Sequence, residues 1–338
     1  MFKKPILAIA FVALAAMKAQ AQDATTFRYS HLFAASHTHY AEGFKFFADL
    51  VAERTQGKIK FAPFHSGQLG KEGATLLTSG LADAAHVIPS YEAQKFPLSS
   101  VSELPGLNSS ACEGTRRFWN IVKTGAPLNL AEYKPRGLHV LFVLANPQFQ
   151  ILTSSKKVSS LDDVGKMKLR AVGSAMDKMT RLLGAIPISV TAPELYDAIS
   201  RGTVDGAFFP AWSMRTNGLE KQVHYALRGP KFGSVNGIFA MSDKAWATLS
   251  PENQELMTKA AAEAQEHHCK YLESMDVEVT DWLVKDYGLQ VTTVTGAEAD
   301  LWEKRIAPVA KEWAKEMDRS GRDGSGILRA YEEAPTTN

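Results

Sequence analysis

One pattern occurs twice in this chain. Gly80-Leu81-Ala82-Asp83-Ala84-Ala85 and Gly202-Thr203-Val204-Asp205-Gly206-Ala207 share the form Gly-x-x-Asp-small-Ala. In each copy a glycine stops a helix, and the Asp precedes a buried strand that ends toward a cleft. Each copy also closes a longer run of strand, helix, strand, helix, strand. In the first half the strands are Phe27–Phe33, Lys58–Phe64 and Leu81–Ile88, with an amphipathic helix over Tyr40–Arg54 and a short one ending at Ser79. In the second half they are Met167–Val172, Ile186–Val190 and Val204–Phe209, with helices over Ala175–Leu183 and Pro193–Arg201. Alternation of this kind specifies a largely parallel sheet covered on both faces. Two similar α/β domains facing each other across a cleft are therefore expected.

The segments between the copies read as connections from one domain to the other. Leu138–Leu144 is a strongly apolar strand, Asn146-Pro147 breaks it, and Gln148–Thr153 resumes extended structure. A strand that runs on into a second domain is a natural hinge. A second crossing is expected near Val235–Met241. Ser250 is a good N-cap and Pro251 suits the first helical position. The helix they start continues to about Val284 and stops near Gly288. At 1.5 Å per residue it spans roughly 50 Å, more than one small domain, so it is expected to lie across both. Trp302–Met317 reads as a further amphipathic helix, and Ala334–Asn338 as a loose tail. The resulting division is residues 22–147 with 235–275, and residues 148–234 with 276–338.

The N-terminus carries an export signal. Lys3-Lys4 is followed by an apolar run from Ile6 to Met17 and by Ala19-Gln20-Ala21, a small-x-small cleavage site. Residues 1–21 are thus expected to be removed, with Gln22 the first mature residue. The apolar run falls short of the roughly twenty residues a membrane span needs. A periplasmic location follows. There an oxidising environment permits Cys112 and Cys269 to pair, while two separately buried thiols are the alternative. A formal net charge of +2 points to no nucleic-acid partner.

Catalytic motifs are scarce. There is no Gly-x-Ser-x-Gly elbow and no phosphate loop ending in Gly-Lys-Ser/Thr. Gly321–Gly326 is glycine-rich but follows a helix, so it reads as a loop. The most informative charge is Arg170. It lies near the end of the strand Met167–Val172, just before the helix begun by Gly173 and Ser174, where α/β proteins place ligand groups. A guanidinium there grips a carboxylate or phosphate through two parallel hydrogen bonds; a surface charge continuing the Lys166/Lys168 face is the plainer reading. Phe209, at the end of the last repeat strand, and Trp212, just past it, are expected to line the cleft. Tyr91 follows the first copy in a comparable place, whereas Phe208 reads as core. His37, in the loop after the first strand, stands equally as a ligand contact or a surface residue. His267 and His268 read as a solvated helix face, since neighbours on a helix point about 100° apart.

At this point the chain resembles a known family, the solute-binding proteins of tripartite ATP-independent periplasmic (TRAP) transporters. The resemblance rests on Gly57-Lys58-Ile59, Gly67-Gln68-Leu69-Gly70, Phe96-Pro97-Leu98 and Glu103-Leu104-Pro105. It continues in Leu161-Asp162-Asp163-Val164-Gly165-Lys166-Met167-Lys168-Leu169-Arg170, Leu183-Gly184-Ala185-Ile186-Pro187, Glu194-Leu195-Tyr196-Asp197-Ala198-Ile199 and Gly202-Thr203-Val204-Asp205-Gly206. It implies a two-domain periplasmic-binding-protein fold of α/β class, with an interdomain cleft, hinge strands and a long helix spanning both domains. It also implies capture of a small organic acid in that cleft and delivery to small and large membrane permease subunits, without a cofactor or metal. The arginine that pairs with the ligand carboxylate corresponds to Arg170. Sialic-acid-type members have a second arginine where Gln150 stands and an asparagine where Phe209 stands. A less polar monocarboxylate, aromatic or of the 2-oxo or 2-hydroxy type, is therefore expected, with Gln150 and Asn236 adding hydrogen bonds. The chain is expected to be a monomer. The runner-up readings are a ligand presenter for a receptor and a periplasmic enzyme, hydrolytic or metal-dependent, using His37 or His39.

Overall fold

The structure, a computed structural model, describes residues 24–337. The expected export signal at residues 1–21 lies outside them. The first half contains β1 (Thr25–Ser30), α1 (Lys45–Arg54), β2 (Ile59–Phe64), α2 (Gly73–Thr78), β3 (Ala84–Val87), α3 (Ala111–Val122) and β4 (Leu138–Leu144). It is followed by β5 (Gln150–Thr153), β6 (Lys168–Arg170), α4 (Gly173–Leu182), β7 (Ile186–Ile188), α5 (Leu195–Ser200), β8 (Gly206–Phe209), α6 (Trp212–Thr216) and β9 (Tyr225–Arg228). The chain closes with β10 (Gly237–Ser242), α7 (Asp243–Trp246), α8 (Pro251–Tyr287), β11 (Gln290–Thr293), α9 (Gly296–Ile306), α10 (Pro308–Arg319) and α11 (Gly324–Glu332).

The strands form two sheets, in the orders β2-β1-β3-β10-β4 and β11-β9-β5-β8-β6-β7. Strands belonging to the repeated units pair in parallel, β1 with β2 and β3, and β6 with β7 and β8. Those that follow a crossing run the other way. β10 is antiparallel to β3 and β4, and β5 is antiparallel to β8 and β9. The sheets are mixed, not largely parallel, because a strand arriving from the opposite sheet inserts against the local direction.

The repeated hexapeptide is one hydrogen-bonded device built twice. Gly80 and Gly202 hold left-handed φ values of 73° and 67°, a conformation that glycine adopts without steric cost. The next two N–H groups turn back on the preceding helix in both copies: Leu81 and Ala82 donate to the Leu76 carbonyl, Thr203 and Val204 to that of Ala198. The Asp then clamps the neighbouring strand. Asp83 donates its N–H to the Arg28 carbonyl and accepts the Arg28 N–H on its carboxylate at 2.8 Å. Asp205 does the same with Lys168, at 2.7 Å. Each clamp sets the register of a parallel strand pair, and so determines where β3 and β8 end.

Two crossings are strands flanking short links, β4 to β5 and β9 to β10. The third is α8, which runs about 55 Å at 1.5 Å per residue over its 37 residues. The Ser250 hydroxyl accepts from the Asn253 N–H, and Gly288 ends the helix at φ 69°. It packs on α1, α3 and β4 and, farther along, on α6, before the chain adds β11 to the second sheet. No helix among the described residues is long and apolar enough to cross a membrane.

Four local expectations change. Residues 39–44 form a wide π-helical turn ahead of α1. The single helix expected over Trp302–Met317 breaks at Ala307 because Pro308 starts a new one. In the glycine-rich loop Asp323 caps α11, its side chain accepting from the Gly326 N–H. The tail is docked: Arg116 and Asn120 of α3 donate to the Thr336 and Pro335 carbonyls. This seats the chain end on α3, where Asn108 and Tyr331 also exchange two hydrogen bonds.

Cys112 of α3 and Cys269 of α8 form a disulfide across 157 residues, with Cα atoms 4.9 Å apart, in place of two separate thiols. Closing so long a loop removes much of the freedom of the unfolded chain. The double variant Cys112→Ser/Cys269→Ser is expected to lose about 2–5 kcal/mol in urea unfolding. Coincident unfolding curves for the variant and the oxidised wild type would show the bond to be neutral.

Candidate functional site

β6 delivers Arg170 to the gap between the sheets. A capping box at Ser160 and Asp163 starts the turn before it, and the Asp205 clamp sets its pairing with β8. The guanidinium is buried, at 1% exposure. Its Nε donates to the Val190 carbonyl at 2.9 Å, Nη1 to the Phe208 carbonyl at 3.1 Å and Nη2 to the Tyr91 hydroxyl at 3.4 Å. Its Cζ lies 5.1 Å from the centre of the Phe209 ring, a cation–π contact. Among the described residues no carboxylate oxygen lies within 4.0 Å of it. Burial lowers its pKa, with Tyr91 and Glu103 acting in the other direction. Glu103 does not supply the missing charge. Burial pushes its carboxyl up to about 8, against the Asn236 N–H and the Arg170 charge. The site therefore holds a desolvated cation whose protein partners are neutral.

Gly173 makes the closeness of the two halves feasible. It sits at φ 79°, and a Cβ there would lie 2.9 Å from the Ser90 Cβ and 3.1 Å from Glu103 Oε2. The segment after β3 can thus press against the start of α4. There the Tyr91 hydroxyl also accepts the Ala192 N–H at 3.0 Å. Farther out, Lys71 and Glu194 form an exposed ion pair across the same gap, at 3.1 Å.

Arg170 lines a small cavity walled by residues from both halves of the chain. Six of the residues singled out from sequence line it: Arg170, Phe209, Trp212, Asn236, His37 and Tyr91. Tyr91 and Trp212 stand at equivalent places, each two residues after the proline that follows its repeat strand. Gln150 is not brought here. It borders a separate depression with Glu273 and Asp276, while the preceding Phe149 occupies the cavity wall. Asn236 is spent internally: its Oδ1 accepts from the Asn146 N–H and the Ser234 hydroxyl, and its Nδ2 donates to the Ser102 carbonyl at 2.7 Å.

The polar groups left free decide what the cavity can hold. His37 Nδ1 accepts the His39 N–H at 3.2 Å, so the neutral ring carries its proton on Nε2. That N–H is buried and has no protein partner. The Trp212 indole N–H is likewise buried and unpartnered, although its backbone N–H is tied to Asp276 at 3.3 Å. With Arg170 these make three kinds of donor around an otherwise aromatic and aliphatic wall. Phe33, stacked 4.0 Å from His37, and His86 and Asn146 complete it. These last residues escaped the sequence reading. A histidine inside the buried strand Ala84–Val87 was the available signal for His86, whereas Asn146 was legible only as a strand breaker.

Comparison with known proteins identifies the family and the fold. The family model described as bacterial extracellular solute-binding protein, family 7, matches residues 29–316. The C4-dicarboxylate-binding protein DctB of Bacillus subtilis is 25% identical over 310 residues, covering 86% of this chain and 83% of that one. A TRAP solute-binding protein from Rhodoferax ferrireducens, solved with copurified benzoate, shares the fold with a TM-score of 0.84 at 23% identity, over 91% of this chain and 96% of the other. One from Bordetella bronchiseptica, solved with bound (R)- and (S)-mandelate, gives 0.81 at 21% identity, over 92% and 98%. The resemblance drawn from the motifs is borne out.

A group of histidines surrounds the site. His268 is fully buried, its Nε2 3.3 Å from His39 Nδ1, so it is not on a solvated face, whereas His267 is partly exposed and stacks 4.0 Å from Phe46. Among the described residues no three His, Cys, Asp or Glu groups are arranged to hold a metal ion. Burial, reinforced by neighbouring histidines, takes His31, His37 and His268 down to about 3 and holds His39 and His86 well below the usual value. Burial alone takes His139 to about 4. These rings are neutral when folded but charge below about 6.5 when unfolded, so the unfolded state binds more protons and stability falls as pH drops. Glu103 at about 8, Glu132 at about 7 and Asp276 at about 6, all raised chiefly by burial, act oppositely down to the ordinary carboxyl range. Six imidazoles outnumber three carboxyls, and below about 4.5 the carboxyls no longer oppose them. The urea midpoint is expected to fall from pH 6 to pH 4, most steeply below 4.5, and His268→Asn should flatten the profile. A midpoint independent of pH in this range would overturn the neutral assignment.

Proposed function

Because the chain belongs to the bacterial extracellular solute-binding proteins of family 7, we propose that it captures a small monocarboxylate in the cavity at Arg170 and hands it to TRAP membrane permease subunits. The reading places it in the periplasm. The buried Arg170 guanidinium with no carboxylate partner is the observation that carries it. A charge so desolvated is costly unless paired, and a ligand carboxylate provides the pair. His37 Nε2–H and Trp212 Nε1–H add neutral donors, and Phe209, Phe33 and Phe149 offer an apolar surface for the rest of the solute. That wall favours an aromatic or otherwise apolar body over a polyhydroxylated sugar acid. The benzoate and mandelate bound by the two structural relatives are of this class.

The moving bodies in this reading are the two sheets with their covering helices, joined at the links after β4 and β9. Closure excludes water and strengthens the ion pair. The contacts of Tyr91 with Arg170 and Ala192, and of Lys71 with Glu194, hold the closed form.

Removing one partner of a buried ion pair costs about 3–5 kcal/mol, which corresponds to roughly two to four decades in affinity. Arg170→Ala is therefore expected to lose measurable binding of benzoate-type acids in calorimetry while its circular dichroism is unchanged. Retained affinity would remove Arg170 as the anchor. His37→Phe keeps the stack on Phe33 but deletes the donor. A hydrogen bond to a charged group contributes about 1.5–3 kcal/mol, so affinity should fall about ten- to a hundredfold, with wild-type affinity counting against His37.

A further inference from the structure

Three of the free polar groups around the cavity are donors, and one is an acceptor. Asn146 lies in the link between β4 and β5, buried at 7% exposure. Its Nδ2 donates to the Val235 carbonyl. A carbonyl only accepts, so this bond fixes which way the amide is turned. The other end, Oδ1, is then an acceptor, and it is buried with no protein partner. The backbone holds it there: the Asn146 N–H donates to Asn236 Oδ1 at 3.1 Å, and Asn236 is anchored in turn to Ser102 and Glu103. His86 Nε2 is also buried and unpartnered, but an imidazole nitrogen takes either role and so does not discriminate.

A carboxylate satisfies Arg170, His37 and Trp212 and leaves Asn146 Oδ1 unmatched, because an ionised carboxylate cannot donate. We propose that the solute carries a hydrogen-bond donor, O–H or N–H, in addition to its carboxylate, and that Asn146 Oδ1 receives it. This makes Asn146 a specificity-determining residue, and the preferred ligand a hydroxylated acid or a cyclic acid with a ring N–H. The inference rests on reading Arg170 as the carboxylate anchor. Its discriminating power comes from the buried acceptor: a site built to bond a ligand donor disfavours the analogue that lacks it, since the buried group is then left unpaired.

The test is calorimetry on the purified protein with matched acids that differ in the donor. Mandelate is compared with phenylacetate, 3-hydroxybenzoate with benzoate, and pyroglutamate with 3-oxocyclopentanecarboxylate, in which CH₂ replaces N–H. In at least one pair the donor-bearing acid is expected to bind about tenfold tighter or more, the factor that 1.4 kcal/mol represents. A preference in the first two pairs identifies a hydroxyl, and in the third a ring N–H. Asn146→Ala is expected to remove that preference, bringing the two affinities within the pair to about the same value. Equal affinities within every pair, with binding still abolished by Arg170→Ala, would overturn this inference and leave the carboxylate reading intact. A preference that survives Asn146→Ala would overturn the assignment to Asn146. Binding of none of the six acids would overturn both readings. If Asn146→Ala does not fold, the wild-type pairs still decide whether the donor is required.

Discussion

A guanidinium buried without a carboxylate is the constraint on which this structure turns. Burial alone would favour expelling Arg170 to water. It is retained because β6 ends there and because two backbone carbonyls, those of Val190 and Phe208, accept from it. Those bonds aim the fork but do not neutralise it. Phe209 offers a ring face and Tyr91 a hydroxyl, neither of which is an anion. Glu103, whose charge would serve, is itself so desolvated that its carboxyl rises to about 8. Electrostatic complementarity is thus withheld by the protein, and in the proposed reading it is left for the solute, so that ligand binding and closure stabilise each other.

The rest of the fold positions that charge. The two Asp clamps fix the register of the parallel pairs, and each repeat strand then ends on a proline with an aromatic two residues beyond, Tyr91 in one half and Trp212 in the other. The cavity is therefore walled by equivalent loops of the two repeats, which meet at the Gly173 contact. Behind it the two strand links are tied to each other through Asn146, Asn236 and Glu103. The Cys112–Cys269 bond fastens α3 to α8 near the first sheet. A hinge so tied favours rotation of whole sheets over local fraying.

Much of this was legible in the chain because it depends on local rules. The hexapeptide repeat exposed the duplicated plan through its glycines and Asp, and the Ser250-Pro251 start and Gly288 stop bracketed α8 closely. The position of Arg170 at a strand end before a helix start marked it as a candidate, but a surface charge was the plainer local reading, and the family resemblance singled it out. What escaped depends on which groups tertiary contacts leave free. Asn236 and Asn146 are the same residue type in adjacent links, yet one amide is consumed by Ser102 and Ser234 and the other keeps an open oxygen. No local pattern separates them. His268 misled for the same reason, since a polar residue on a long helix reads as solvated until His39 is seen to pack against it.

The histidines acquire their meaning from the charge they do not carry. His37, His39 and His86 line the cavity, and protonating any of them would place a second cation beside Arg170. Burial and mutual proximity hold all three neutral. The site therefore has one fixed positive charge set in apolar and weakly polar surroundings. In the proposed reading one carboxylate is neutralised by it; a second would be desolvated against aromatic rings with no counter-charge, at a cost of several kcal/mol per ion even after relaxation. Neutral imidazoles thus supply directional donors without raising the charge of the pocket, and the proposed selectivity for a single carboxylate rests on keeping His37 a hydrogen-bond donor and not a cation.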